Sequence, residues 1–276
     1  KFCEKNILPC LFPTTMMPSL SNDSFYNMYK NKGVVHEAVA LASEIIGYIK
    51  PGESVLQLFD SSSPSSVLAS TSLKDSLRNQ QIQVVDVDVN DALSLDSAIN
   101  DINSKTYSTL SVWLNRDQTV GLLKDLNTKS ANPSILLSTR FYGTSIKELP
   151  NNLHGNLSFI HSYEMPDRMK HLLIRSTGWF KAKRIYDDKA REIQANAYFS
   201  LKVAGDAIKH IRGYFYRDYF IEKIEHMIDD IPYTSIYPRI GLAPGQRFIS
   251  KGYYLARIDP VKGDLVKVTD WKIPSL

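Results

Sequence analysis

Short apolar runs alternate with amphipathic stretches through the first 165 residues. Ile7–Phe12 is an apolar run bounded by Pro13, which predicts a buried strand. Residues 14–32 are loop-like and rich in Thr, Ser, Asn, Pro and Tyr. Gly33–Ile49 has the helical period, with Val34, Ala38, Leu41, Ala42, Ile45 and Ile46 on one face. Lys50-Pro51-Gly52-Glu53 stops that helix and leads into a strand at Ser54–Phe59. A polar loop, Asp60–Ser66, precedes a helix at Ser65–Asn79. Strands at Ile82–Val87, Thr109–Leu114, Ser134–Ser138 and Leu157–His161 then alternate with helices at Ala92–Ile102, Gln118–Asn127 and Thr144–Leu149. Strands and helices at this spacing predict βαβ units and an open parallel sheet covered on both faces.

The pattern changes after Tyr163. Glu164–Arg184 is mixed and basic. Asp187–Ile211 predicts a long helix whose apolar stripe is Ile193, Ala197, Leu201, Ala204 and Ile208. Arg217–Ile228 predicts a second helix. From Ser235 the chain reads as β: an extended stretch at Ser235–Leu242, a Pro244-Gly245 turn, then strands at Arg247–Ile249, Tyr253–Ile258 and Leu265–Trp271, the last after a turn at Asp259–Asp264.

A chain of 276 residues exceeds the size at which one core usually stops growing, so two lobes or one large α/β domain is expected. Hydrophobic residues at 43% and charged residues at 22% argue against a largely disordered chain. There is no apolar run of transmembrane length, so no membrane-spanning helix is expected. Residue 1 is Lys, and KFCEKNILPCLFP reads as a helix end entering a strand, so the sequence is expected to lack an upstream part. Cys3 and Cys10 either bridge a tight loop, in an oxidising compartment, or serve as small core residues in a reducing one. Two cysteines are too few for a four-thiolate zinc site. Charge is uneven: residues 53–107 hold eight acids and three bases, whereas residues 168–217 hold twelve Lys or Arg and four acids. The basic stretch reads as a solvated helix face or as a surface for an anionic partner. It has no nucleic-acid-binding signature, so no nucleic-acid partner is expected.

The usual enzyme motifs are absent: no GxGxxG after a strand, no GxxxxGK[ST], no GxSxG and no HExxH. The histidines are scattered, none at metal-pair spacing, so neither a metal nor a cofactor is expected. Glu37 reads as a first-turn acid favoured by the helix dipole. Asp86 and Asp88 alternate on one strand face, as a polar edge or a carboxylate pair. What remains are four polar loops at the carboxyl ends of predicted strands, where ligands of open α/β sheets sit: Pro13–Ser19, Asp60–Ser66, Asn115–Asp117 and Thr139–Gly143. Their hydroxyls can cap helices or hold a ligand carboxylate, and Arg140 with Tyr142 adds a cation and an aromatic.

Three passages resemble one family. ILPCLFPTTMMP (Ile7–Pro18) is similar to the strand and Ala-Thr-x-Pro ligand loop of type I periplasmic binding proteins, the receptors of ABC importers for branched-chain amino acids and amides. Gly33-Val34-Val35-His36-Glu37-Ala38 resembles the helix that follows. RDYFIEKIEHM and SIYPRIGLAPGQRFISKGYYLARI, within Arg217–Arg257, resemble the closing segment of a Gram-negative subgroup. The resemblance implies an α/β fold of two Rossmann-like lobes with parallel sheets, the first lobe incomplete: residues 1–24 and 166–276 in the first lobe, 25–165 in the second. It implies a non-enzymatic periplasmic receptor that binds a small polar solute in an interlobe cleft, closes by hinge motion and delivers to an inner-membrane ABC permease. By position, Thr14 and Thr15 match the first-lobe ligand loop, and Ser62, Ser63, Asn115, Arg116 and Tyr142 match second-lobe contacts. Thr14, Thr15, Ser62 and Ser63 would donate hydrogen bonds, and Arg140 would compensate a negative group. The chain departs from the family where DSSSPSS replaces an aromatic, and in Thr139–Gly143, where the usual amine-binding acid has no clear match and Arg140 stands instead, so an anionic or amide ligand is as open as an amino acid. The alternative is a sensory or scaffold domain of the same fold, binding a protein through its basic 168–217 surface.

Overall fold

Apolar runs become the inner strands of a seven-stranded sheet. The computed structural model describes residues 2–19, 24–103, 107–126, 133–143, 146, 148–230, 235–243 and 245–275. The chain divides into one unit of Lys1–Gly33 with Tyr163–Lys251 and another of Val34–Ser162 with Gly252–Leu276. It therefore passes from one unit to the other after Gly33, Ser162 and Lys251.

The second unit opens with helix α2 (Gly33–Ile46), which begins at the last residue of the first unit. Its strands are β3 (Ser54–Phe59), β4 (Gln83–Asp88), β5 (Thr109–Trp113), β6 (Ser134–Ser138), β7 (Leu157–His161), β8 (Tyr254–Ile258) and β9 (Leu265–Lys267), in the order β4-β3-β5-β6-β7-β8-β9. The first five run parallel. β8 and β9 add antiparallel pairs. Every residue of β5 and β7 is buried, the polar Thr109, Ser111, Ser158 and His161 included, as expected of inner strands covered on both faces. β4 is an edge strand, and its acids behave as edge residues: Asp86 pairs with Lys74 and accepts from Gln57, while Asp88 accepts the Ser61 and Asn90 N–H groups. Between the strands lie α3 (Pro64–Arg78), α4 (Ala92–Asn103), α5 (Arg116–Asp125), α6 (Thr139–Tyr142) and a 3-10 turn at Asn151–Asn156. Three residues of the predicted Thr144–Leu149 helix, Thr144, Ser145 and Lys147, lie outside the described residues, as do Asn127 and Pro244.

The two units do not coincide with the expected lobes: residues 25–33 and 163–165 fall in the first unit. Residues 252–276 were assigned to the first lobe, but they belong to the second unit. The register explains it: Phe159 faces Ala256, Ile160 faces Leu255 and His161 faces Tyr254, so β8 extends the second unit's own sheet.

The first unit holds α1 (Phe2–Lys5), β1 (Cys10–Leu11), β2 (Asn27–Met28), α7 (Pro166–Leu172), α8 (Ile174–Ala182), α9 (Arg191–His210) and α10 (Arg217–Met227). The predicted strand Ile7–Phe12 is reduced to Cys10–Leu11, paired in parallel with Asn27–Met28. Ile7 and Phe12, both at φ 53°, leave the extended region and end it. Ile7 and Leu8 are exposed rather than buried. A disulfide joins Cys3 to Cys10, their Cα atoms 6.2 Å apart. Inside that loop the Glu4 carboxylate accepts the N–H groups of Phe25, Tyr26 and Asn27. Burial alone would raise its pKa, but those hydrogen bonds outweigh it and hold the carboxyl below its ordinary value. Closing so short a loop is expected to stabilise by about 2–3 kcal/mol, mostly through the unfolded chain. The Cys3→Ser/Cys10→Ser variant should therefore unfold at lower urea concentration. An unchanged midpoint would contradict that.

Helix α9 buries a different stripe from the predicted one. Phe199, Val203 and Ala207 face inward against Phe12, Met28, Phe220, Ile221 and Ile224, and Ala195 packs with Met169, Leu173, Ile236 and Tyr237. Ile193, Leu201 and Ile208 are 63%, 69% and 55% exposed. Two apolar stripes share this helix, and the one carrying Phe199 makes the core.

Candidate functional site

β3, β5 and β6 are neighbours in the sheet, so the loops that follow them share one edge of the second unit. Asp60 ends β3 and is the centre of that edge. Its Oδ1 accepts the Ser62 hydroxyl at 2.5 Å, the Ser62 N–H at 2.8 Å and the Asn90 amide at 2.8 Å. Its Oδ2 accepts the Gln118 amide at 2.8 Å. These bonds, led by that from the Ser62 hydroxyl, hold the Asp60 carboxyl far below the usual carboxylate range. Ser63 caps α3 ahead of Pro64, accepting the Ser66 N–H. Asn115 caps α5 in a reciprocal box with Gln118. Ser62 and Asn115 are thus tied together through Asp60 and Gln118.

This network corrects the expected role of Ser62. A hydroxyl has one hydrogen to donate, and Ser62 donates its own to Asp60. What Ser62 presents to a ligand is lone pairs beside a carboxylate. The loop is an acceptor, suited to an ammonium or amide N–H.

Arg116 opens α5 after β5, and Tyr142 ends α6 after β6. Arg116 forms a two-pronged ion pair with Glu148, Nε to Oε2 at 3.0 Å and an Nη to Oε1 at 2.7 Å. Its guanidinium lies 6.0 Å from the centre of the Tyr142 ring. Tyr142 is buried, and burial pushes its phenol pKa up, so it stays neutral. Arg140 was expected to compensate a ligand anion. Its side chain is instead 9% exposed, with Nε 3.5 Å from Oε1 of the fully buried Glu37. Glu37 Oε2 also accepts the Ser138 hydroxyl at 2.6 Å. Arg140 therefore already answers an internal carboxylate, and Glu37 is the core partner of a cation rather than a first-turn dipole acid.

In the first unit, Thr14 and Thr15 lie on an exposed loop. Thr14 Oγ1 accepts from the ammonium of buried Lys30 at 3.3 Å. Thr15 Oγ1 accepts the Met17 N–H at 3.1 Å. Each hydroxyl spends a lone pair inside the loop and keeps its hydrogen to donate. Gly33 fixes the far end of the loop. It has φ +60°, and a Cβ there would fall 2.1 Å from the Met16 carbonyl oxygen. Its N–H is held by the Asn31 side chain at 2.9 Å.

Sequence reasoning missed Asp60, Gln118, Glu37 and Lys30. Asp60 was visible in the DSSS loop, where only the serines were singled out. The other three are brought to these loops by tertiary structure alone. Among the described residues there is no group of three or more His, Cys, Asp or Glu placed to hold a metal ion. No described helix is long and apolar enough to cross a membrane.

No protein-family model matches the chain, and no curated protein matches it. Solved structures do. A branched-chain amino acid ABC transporter protein from Thermus thermophilus, with bound valine, superposes at a TM-score of 0.72 and 15% identity, over 99% of this chain and 74% of that one. A leucine binding protein from Thermotoga maritima superposes at 0.63 and 16% identity, over 98% of this chain and 74% of that one. An ABC transporter substrate binding protein from Aeropyrum pernix gives 0.64 and 14% identity, over 91% and 67%. The fold is therefore the mixed α/β fold of the type I periplasmic binding proteins, as the sequence resemblance implied.

Proposed function

We propose that the chain is the solute-binding receptor of an ABC importer, non-enzymatic, and that its solute is a small zwitterion or amide. The residues proposed to contact it are Thr14 and Thr15 on the first unit, and Ser62, Ser63, Asn115, Arg116 and Tyr142 on the second. The observation that carries the ligand class is the hydrogen-bonding capacity that each loop, taken by itself, leaves free. Thr14 and Thr15 keep hydroxyl hydrogens for a carboxylate or carbonyl oxygen. Ser62 offers an oxygen lone pair to an amine, beside an Asp60 carboxylate that already accepts four hydrogen bonds. Arg140 leaves the contact set because Glu37 already holds it, which removes the argument for a purely anionic solute. The fold supports a receptor, since the proteins it superposes on are described as amino acid or substrate-binding components of ABC transporters. The Cys3–Cys10 disulfide supports an oxidising, extracytoplasmic compartment such as the periplasm. An inner-membrane permease would be the partner.

Calorimetric titration of amino acids and amides tests the assignment of residues. Losing a hydrogen bond to a charged ligand group costs about 1.5–3 kcal/mol. Thr14→Ala and Ser62→Ala should each weaken the bound solute by about tenfold or more. Full affinity in both variants would overturn the assignment.

A further inference from the structure

The basic region between residues 168 and 217 is not a uniformly solvated face. A cleft of about 340 Å³ opens within the first unit, between α7, α8 and the start of α9. Three cations line it, one from each helix: Lys170, Lys181 and Arg191. No acid lines it, and none of the three takes part in an ion pair among the described residues. Lys181 lies 5.0 Å from the centre of the Tyr186 ring, and Tyr186 donates its hydroxyl to Asp188, outside the lining. Helix α9 starts at Arg191 with no side-chain cap; the Arg191 N–H donates to the Asp188 carbonyl oxygen and Glu192 stands in the first turn, so the helix dipole adds only modestly to the positive end of the cleft. Leu173 and Ile174 supply an apolar wall.

Gly178 is an independent pointer. It sits inside α8 and on the cleft wall. A glycine there costs a helix about 0.5–1 kcal/mol relative to alanine. Packing does not require it, since nothing lies within 4 Å of a Cβ built at that position. What a side chain there would take up is the open volume of the cleft.

We infer that this cleft binds a phosphate group carried on a short apolar body, by Lys170, Lys181 and Arg191 around the anion and Leu173 and Ile174 against the body. The volume lies at the lower end for a small-molecule site. The site is separate from the loops that carry Thr14 and Ser62, and it does not depend on the receptor reading.

Phenyl phosphate is the soluble probe, titrated calorimetrically into the full chain with benzyl alcohol as the neutral control. Vesicles of phosphatidic acid in phosphatidylcholine, against phosphatidylcholine alone, form the second arm. Binding of phenyl phosphate assigns a free phosphate ester. Sedimentation only with phosphatidic acid vesicles assigns a lipid headgroup. In either arm, Lys181→Gln/Arg191→Gln should weaken binding by about tenfold or more. Gly178→Leu should abolish it while the melting temperature holds or rises, because leucine is the better helix former. No binding in either arm would overturn the inference, and so would binding that survives Gly178→Leu.

Discussion

Replacing Arg140 with alanine is expected to destabilise the protein by about 3–5 kcal/mol, the usual cost of stranding a buried charge. Glu37 is fully buried, and Arg140 supplies the cation that faces it, 3.5 Å away. Removing Arg140 leaves Glu37 with the Ser138 hydroxyl, too little to solvate a carboxylate in the core. A double replacement, Glu37→Leu with Arg140→Leu, should recover most of the loss, because a buried pair and a well-packed apolar pair are often close in free energy. Urea unfolding of the two single variants and the double measures this directly. A loss below about 1 kcal/mol for Arg140→Ala, the range of an exposed pair, would mean that the guanidinium is solvated and free to meet an anion.

Gly33→Ala is expected to cost about 2–5 kcal/mol, from left-handed strain and overpacking together. The new methyl group would lie 2.1 Å from the Met16 carbonyl oxygen and 2.6 Å from Pro18, so the loop carrying Thr14 and Thr15 must move. Gly52→Ala separates the two causes. Gly52 has φ +86° with nothing within 4 Å of its Cβ position, so it should show only the strain, about 1–2 kcal/mol. Equal losses at the two positions would mean that the close approach at Gly33 carries no weight. A Gly33→Ala protein that still folds should also bind the proposed solute more weakly, since the loop carrying Thr14 and Thr15 is displaced.

The second unit was largely legible in the sequence. β3, β6 and β7 have the predicted limits, because mostly apolar inner strands are bounded by polar loops. The first unit was less legible. Glu164–Arg184 contains α7 and α8, hidden by a basic composition with little apolar periodicity. Ile7–Phe12 looked like a strand, but the left-handed Ile7 and Phe12 cut it short. Helix α9 carries two apolar stripes, and only the tertiary partners Phe12, Met28 and Phe220 select the one that is buried. The same limit applies to chemistry. Ser62, Asn115 and Arg116 were placed on one sheet edge because strand ends can be read from sequence. The pairing of Arg140 with Glu37, and the hydrogen bond that the Ser62 hydroxyl donates to Asp60, depend on contacts that periodicity does not encode.

The central claim is that this chain is a receptor for a small polar solute. Thermal melting of the protein against amino acids, amides, short carboxylates and urea tests it most directly. At about a hundred times its dissociation constant, a bound solute adds about 2.7 kcal/mol and raises the melting temperature by several degrees. The account predicts such a shift for at least one amino acid or amide, and none for simple carboxylates. A cooperative melt that no member of the panel moves would contradict it and favour a scaffold domain of the same fold.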